Sequence, residues 1–177
     1  MHEYKIVVLG SMGAGKSTLV RSIAGGAVVD TDVLNTDGNS AKLSTTVAMD
    51  YADVDLPNGD RLRLYGTPGQ KRFEFIWSIL LEGAAGVLVL VDATSDSVAE
   101  DLACYLATLQ DKAARVPTVI GLTKSDLASD AQVQQCAQCV AEFPRPLPMV
   151  PFDARCERDG MLLMDVLMSE IETATLV

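Results

Sequence analysis

Positive charge is scarce in this chain. Its 177 residues carry 14 Lys and Arg against 24 Asp and Glu, a formal charge of −10 at neutral pH. Nucleic acids are bound through basic patches that displace counterions, so this surface repels them, and proteins or small molecules are the expected partners. Histidine is nearly absent, with only His2 near the N-terminus. Of the 4 cysteines, Cys136 and Cys139 stand at C-x-x-C spacing. A four-ligand zinc site lacks further partners, which leaves a redox pair or plain helix packing. Cys136 falls on the stripe Val133, Cys136, Ala137, Val140, Ala141 behind the capping pattern Ser129-Asp130-Ala131-Gln132, so packing is the expected role. No apolar run approaches bilayer length, since the longest, Ala84 to Val91, reads as a central strand. With no secretory leader, no Gly at position 2 and no C-terminal prenylatable Cys, the expectation is a cytoplasmic protein without a direct membrane anchor.

The most informative stretch is Gly10-Ser11-Met12-Gly13-Ala14-Gly15-Lys16-Ser17-Thr18, which fits the phosphate-loop pattern G-x-x-x-x-G-K-[ST] in full. Tyr4 to Leu9 before it reads as a buried strand. Leu19, Val20, Ile23 and Ala24 after it recur at helical spacing and stop at Gly25-Gly26. The loop therefore joins a strand end to a helix start, where the N–H groups of Gly13, Ala14, Gly15 and Lys16 and the positive helix end converge on one spot. A polyphosphate fits there. Lys16 would reach its terminal phosphates, the Ser17 hydroxyl would ligate magnesium, and Thr18 completes the set of loop residues expected at the ligand.

The remaining chain alternates strand and helix. Asp30 to Lys42 is polar and aperiodic and reads as a loop. Thr46 to Leu56 and Arg61 to Tyr65 then form a hairpin about Pro57-Asn58-Gly59-Asp60. A three-residue loop Asn58-Gly59-Asp60 sets Leu56 opposite Leu62, Val54 opposite Leu64 and Asp55 opposite Arg63, a register the alternation prefers over a two-residue turn. There follow an apolar helix from about Arg72 to Gly83 with its strand, a helix through Val98, Leu102, Tyr105, Leu106 and Leu109, a strand Pro117 to Leu122, the capped helix, a strand near Pro148 to Phe152, and a last helix carrying Leu163 to Ile171. This order predicts an α/β P-loop NTPase fold, a six-stranded mostly parallel sheet with helices on both faces, over one domain spanning 1–177.

Four more motifs fall in an order that resembles the Ras superfamily of small GTPases. Thr45 to Asp50 stands where that family's first switch supplies a magnesium-binding threonine, and Thr46 is the match. Tyr65-Gly66-Thr67-Pro68-Gly69-Gln70-Lys71-Arg72-Phe73 is similar to the family's D-T-A-G-Q-E-R-F switch; Gly69 would give its N–H to the third phosphate and Gln70 would orient the attacking water. Gly66 stands where the family has an aspartate that steadies magnesium, so another carboxylate must serve, and Asp50 is the candidate. Thr123-Lys124-Ser125-Asp126 resembles N-K-x-D. The Asp126 carboxylate can accept from both the ring N–H and the exocyclic amine of guanine, and adenine offers neither donor there. Thr123 replaces the asparagine that ties this loop to the phosphate loop, which puts that tie in doubt. Asp153-Ala154-Arg155 matches S-A-K, with the Ala154 N–H expected at the guanine carbonyl.

The resemblance implies a GTP/GDP-binding switch using Mg2+, with Gln70, Lys16 and Thr46 in catalysis and Ser17 and Thr46 on the metal. The Thr67-Pro68-Gly69-Gln70 variant and the missing aspartate look most like the prokaryotic MglA-type group and the actinobacterial GTPases encoded beside Roadblock proteins, which implies a Roadblock-type partner. Between Gly26 and Thr46 the only cation is Lys42, so no arginine in cis speeds hydrolysis, and Met12 would crowd one arriving from a partner; turnover should be slow. Two other readings are a scaffold that holds GTP without hydrolysing it, for which Gly66 speaks, and an ATP-using kinase, against which the lack of an arginine-rich lid beyond Ala93 speaks. The helix through Phe73, Phe75, Ile76, Trp77, Ile79, Leu80 and Leu81 is apolar all round, so either neighbouring segments cover both faces or an exposed Phe73 or Trp77 serves as a partner anchor. On the guanine reading, labelled GDP binds far more tightly than ADP, and Asp126→Asn moves the preference toward xanthine nucleotides. Equal GDP and ADP affinities in the same titration would exclude it.

Overall fold

Strand β1 (Glu3–Gly10) is the axis of the molecule. In the computed structural model, which describes residues 2–25, 28–30, 50–70 and 73–176, Ile6 to Leu9 are all fully buried, so the strand needs cover on both faces. Its alternating side chains divide between two cores. Val7 and Leu9 join Val87, Val89 and Val91 of β5 (Gly86–Asp92), while Ile6 and Val8 join Leu88 and Leu90 on the opposite face. The parallel register Val7↔Val87 and Val8↔Leu88 keeps each set on its own side.

Helices α1 (Lys16–Ile23) and α5 (Glu157–Thr175) cover one face; α2 (Glu74–Leu81), α3 (Val98–Lys112) and α4 (Asp130–Ala141) cover the other. The sheet order is β2-β3-β4-β1-β5-β6-β7, with β3 (Asp50–Asp55), β4 (Arg61–Gly66), β6 (Thr118–Thr123) and β7 (Met149–Pro151) as the remaining expected strands. All six expected strands are present in a Ras-like arrangement. The addition is β2 (Val28–Asp30), a three-residue edge strand antiparallel to β3 that ends at Asp30, where the polar stretch begins. Parallel pairing joins β4, β1, β5, β6 and β7, and β3 is antiparallel to both of its neighbours. Among the described residues no helix is long and apolar enough to cross a membrane.

Two local expectations are corrected. The hairpin pairs Asp55 with Arg61, Val54 with Leu62 and Ala52 with Leu64, and its loop is Pro57-Asn58-Gly59. Gly59 N–H donates to the Leu56 carbonyl at 2.9 Å, Gly59 takes φ +85, and Leu56 N–H donates to Asp60 O at 2.7 Å. That is a tight turn closed by a left-handed residue, and only glycine enters that region without strain, so Gly59 rather than side-chain alternation fixes the register. The second correction concerns α2. Phe73 and Trp77 are buried, the indole stacking on Tyr105 at 4.7 Å and donating to the Pro68 carbonyl at 3.2 Å, and the exposed apolar residues are Phe75 and Ile79, one turn apart. The sequence carries a sign of which face turns outward: Glu74, Ser78 and Glu82 recur at helical spacing, and Phe75 and Ile79 lie beside that polar line while Trp77, Leu80 and Leu81 lie on its other side.

The capped helix matches expectation. Ser129 and Gln132 bond each other's backbone N–H groups, and Cys136 is buried with its thiol pushed up by burial, which disfavours a reactive thiolate. As a core residue, Trp77→Ala should lower the unfolding free energy by about 3–5 kcal/mol in urea titration. An unchanged midpoint would return Trp77 to the surface.

Candidate functional site

Every expected motif within the described residues lies at the C-terminal ends of β1, β4, β6 and β7, where the strand order reverses about β1. That is the place where open α/β sheets form their crevice. After β1 the chain turns through Ser11 to Gly15, with Ala14 N–H on the Ser11 carbonyl at 3.2 Å, and Gly15 (φ +93) caps α1. The first N–H groups of α1 have no intrahelical acceptor and face this crevice. Lys16 is buried and its ammonium spans the loop, donating to Gly10 O at 2.7 Å and Ser11 O at 2.8 Å. Burial pulls its pKa down to about 8 and the Asp50 carboxylate works against that, so the amine stays mostly charged at neutral pH.

The second wall is the segment after β4. Thr67 is buried, with both its N–H and its hydroxyl on the Val8 carbonyl at 3.0 Å. A side chain on Gly69 would come within 2.6 Å of Met12 N and 2.9 Å of the Lys16 amine, so the backbone here runs directly over the phosphate loop. Gln70 is exposed, and its amide approaches the Met12 sulfur at 3.9 Å, a contact absent from the sequence reading.

At the end of β4 the register sets Gly66 opposite Asp50, and a Cβ on Gly66 would lie 3.0 Å from the Asp50 Cβ. The Asp50 carboxylate thus occupies the side of the hairpin that a residue-66 side chain would need. It accepts a hydrogen bond from the Ser17 hydroxyl. A serine oxygen and a carboxylate brought together beside a phosphate loop form a hard oxygen donor set of the kind magnesium takes. They face a cavity of about 310 Å³ lined also by Lys16, Thr18, Thr67 and Gly69. Thr46, the other expected metal ligand, lies outside the described residues.

A second cavity of about 580 Å³ adjoins the first, sharing Gly13, Gly15 and Thr18 with it. Thr123, Lys124, Asp126, Ala154 and Arg155 line it as expected, together with Leu127 and Phe152, which the sequence did not single out. The doubt over Thr123 is resolved by its bonds. Its buried hydroxyl lies 3.1 Å from the Val91 carbonyl and 3.4 Å from the Ala14 carbonyl, so one proton is shared between strand and phosphate loop. Gly15 closes the junction, because a Cβ there would meet the Ala154 methyl at 2.9 Å. Lys124 takes φ +55 and holds the Asp92 carboxylate at 2.5 Å. Burial pushes the Asp92 carboxyl up, but bonds from Lys124 and from the Thr94 N–H and hydroxyl outweigh it, leaving the group below its usual range. Asp92 was missed, although an acid ending the apolar run of β5 was a visible signal. Arg155 folds back as a fork onto Asp153, at 2.9 and 2.7 Å, so its guanidinium is engaged at the rim.

With a phosphate loop, the switch-like segment after β4 and a base-sized cavity assembled on a Ras-like sheet, the site has the layout of a P-loop nucleotide-binding protein. The Ras family model matches residues 5–145, most of the chain, and the chain belongs to the Ras family. Among its relatives, "Uncharacterized protein MJ1339" of Methanocaldococcus jannaschii is 31% identical over 125 residues, which is 71% of this chain and 72% of that protein. "GTP-binding protein ypt4" of Schizosaccharomyces pombe is 29% identical over 147 residues, covering 78% of this chain and 57% of its own length. "Ras-related protein Rab-13" of Canis lupus familiaris is 26% identical over 136 residues, covering 76% and 63%. The match thus spans less than two thirds of both eukaryotic proteins.

The Thr123 hydroxyl gives the site its own mechanical test. Thr123→Val should reduce unfolding stability by about 1 kcal/mol, the ordinary net value of a buried hydrogen bond, and Thr123→Ser should keep most of it. Denaturant midpoints of the two variants decide whether the tie exists.

Proposed function

We propose that this protein is a magnesium-dependent GTP/GDP switch that hydrolyses GTP slowly and signals to a protein partner in the cytoplasm, its whole length acting as one G domain. The observation that carries this reading is the pair of joined cavities, one bounded by Lys124, Asp126 and Ala154 and the other by Lys16, Ser17, Asp50 and Gly69. A nucleoside fits the first and its phosphates the second. Asp126 selects guanine by accepting two N–H donors, and the Ala154 N–H meets the base carbonyl. The N–H groups of Gly13, Ala14, Gly15 and Lys16, with Thr18 beside them, hold the phosphates, and the Lys16 ammonium leaves the Gly10 and Ser11 carbonyls for the developing charge.

Magnesium, when bound, would be held by Ser17, Thr46 and the Asp50 carboxylate, and would neutralise phosphate charge. Asp50 takes the part that Gly66 cannot play, which removes the main argument for a permanently loaded scaffold. Gln70 orients the attacking water once it leaves Met12, and Thr46 and Gly69 respond to the third phosphate. The Thr67-Pro68-Gly69-Gln70 run and Gly66 favour an MglA-type switch with a Roadblock-type partner. Phe75 and Ile79, exposed on α2 directly after Gln70, are the apolar contacts such a partner would use.

Phosphate release under multiple turnover tests the enzyme: a rate above zero and well below the ~10⁻² per second of proteins with a cis arginine is expected. In the same assay Asp50→Gly should raise the magnesium needed for half-maximal rate by about 10–100-fold, Gly66→Asp alone should be impaired by collision with Asp50, and the double exchange should recover much of the wild-type requirement. If Asp50→Gly leaves the requirement unchanged, the carboxylate role is wrong.

A further inference from the structure

The hairpin and α5 do not close fully on each other. Between them lies a cavity of about 260 Å³ that shares no lining residue with either cavity at the phosphate loop. Buried Leu62 and Met164 form its floor, and Leu56, Met161 and Met168 form half-buried walls. Met161, Met164 and Met168 recur at helical spacing on α5, so three flexible, polarisable side chains face one space and can adapt to what enters it. Asp165 and Glu172 stand at the mouth on the same helix face, both exposed. Among the described residues no Lys or Arg pairs with either carboxylate.

An apolar hole with two acids at its lip discriminates by charge. The methionines and leucines bury an uncharged body, and the carboxylates favour an attached cation over an attached anion, helped by the protein's overall charge of −10. Its size lies just below the ~300–1,000 Å³ of pockets that take drug-sized ligands, which limits the occupant to one ring or short chain with its charged group outside. We propose that this cavity binds a small organic cation, an apolar body carrying one ammonium group, independently of the nucleotide site.

The test uses the full chain with isotope-labelled methionine methyls and three probes of matched shape: phenylbutylammonium, phenylbutanol and phenylbutanoate. Saturable shifts at Met161, Met164 and Met168 are expected, with Met12 unmoved. The ammonium should bind about fivefold or more tightly than the alcohol at low salt, and the carboxylate most weakly. The exposed-residue double variant Asp165→Asn/Glu172→Gln should fold normally, still bind the alcohol, and lose the preference for the cation. The inference is overturned by any of four results: no saturable shift at the three methyls, primary shifts at Met12, a carboxylate that binds as well as the amine, or a double variant that keeps the cation preference. Shifts that grow with protein concentration without any probe would instead make this face a contact between copies and also overturn it.

Discussion

At Gly15 the phosphate loop passes so close to the β7–α5 loop that a single methyl group would stand 2.9 Å from the Ala154 side chain, and a methyl group on Gly69 of the second switch would stand 2.6 Å from the Met12 nitrogen of the same loop. The crevice is this tight because glycine leaves bare backbone at both points, facing the Ala154 methyl at Gly15 and the loop backbone at Gly69. N–H groups can then converge on a ligand from segments far apart in sequence, without intervening atoms. The central strand serves this contact. Its residues Ile6 to Leu9 are locked between two cores, and its C-terminal end delivers the loop at the one place in the sheet where the chain order turns from one side to the other.

The exchange between positions 50 and 66 follows from strand geometry. Residues directly opposite in an antiparallel pair have their Cβ atoms about 4.5–5.5 Å apart and on the same face, so a carboxylate can move from one strand to its neighbour and still reach nearly the same point. Gly66 clears the room and Asp50 fills it, next to the Ser17 hydroxyl. The carboxylate in this corner of the site thus comes from position 50, on the strand opposite Gly66. A strongly acidic protein also needs a local positive field to hold phosphates, and it is supplied by few groups: one buried ammonium, the start of α1 and the loop amides.

Tertiary packing also separates residues that sequence treats alike. Phe73, Phe75, Trp77 and Ile79 are alike in hydrophobicity, yet Trp77 is sealed against Tyr105 and Pro68 while Phe75 and Ile79 face solvent beside the thin polar line of Glu74, Ser78 and Glu82. Thr123 looked like a weakened asparagine, but its hydroxyl sits within reach of the Ala14 carbonyl because β5 and β6 are adjacent and β5 flanks β1.

Periodicity and spacing determined a great deal without coordinates: the alternation of strands and helices, the phosphate loop between Leu9 and Leu19, the capped helix at Ser129, and several of the residues that line the two cavities, among them Gly13, Gly15, Thr18, Thr123, Asp126 and Ala154. Those features depend on neighbours within a few positions, so local chemistry suffices to fix them. The hairpin register was misread because the side-chain alternation fits two registers two residues apart and the left-handed Gly59 selects between them, and β2 escaped because two valines and an aspartate are too short a run to show a period. The salt bridge of Lys124 with Asp92, the approach of Gln70 to Met12, and the placing of Asp50 beside Ser17 join residues 32, 58 and 33 positions apart. Such contacts are set by which strands lie side by side and in what register, and only the folded sheet decides that.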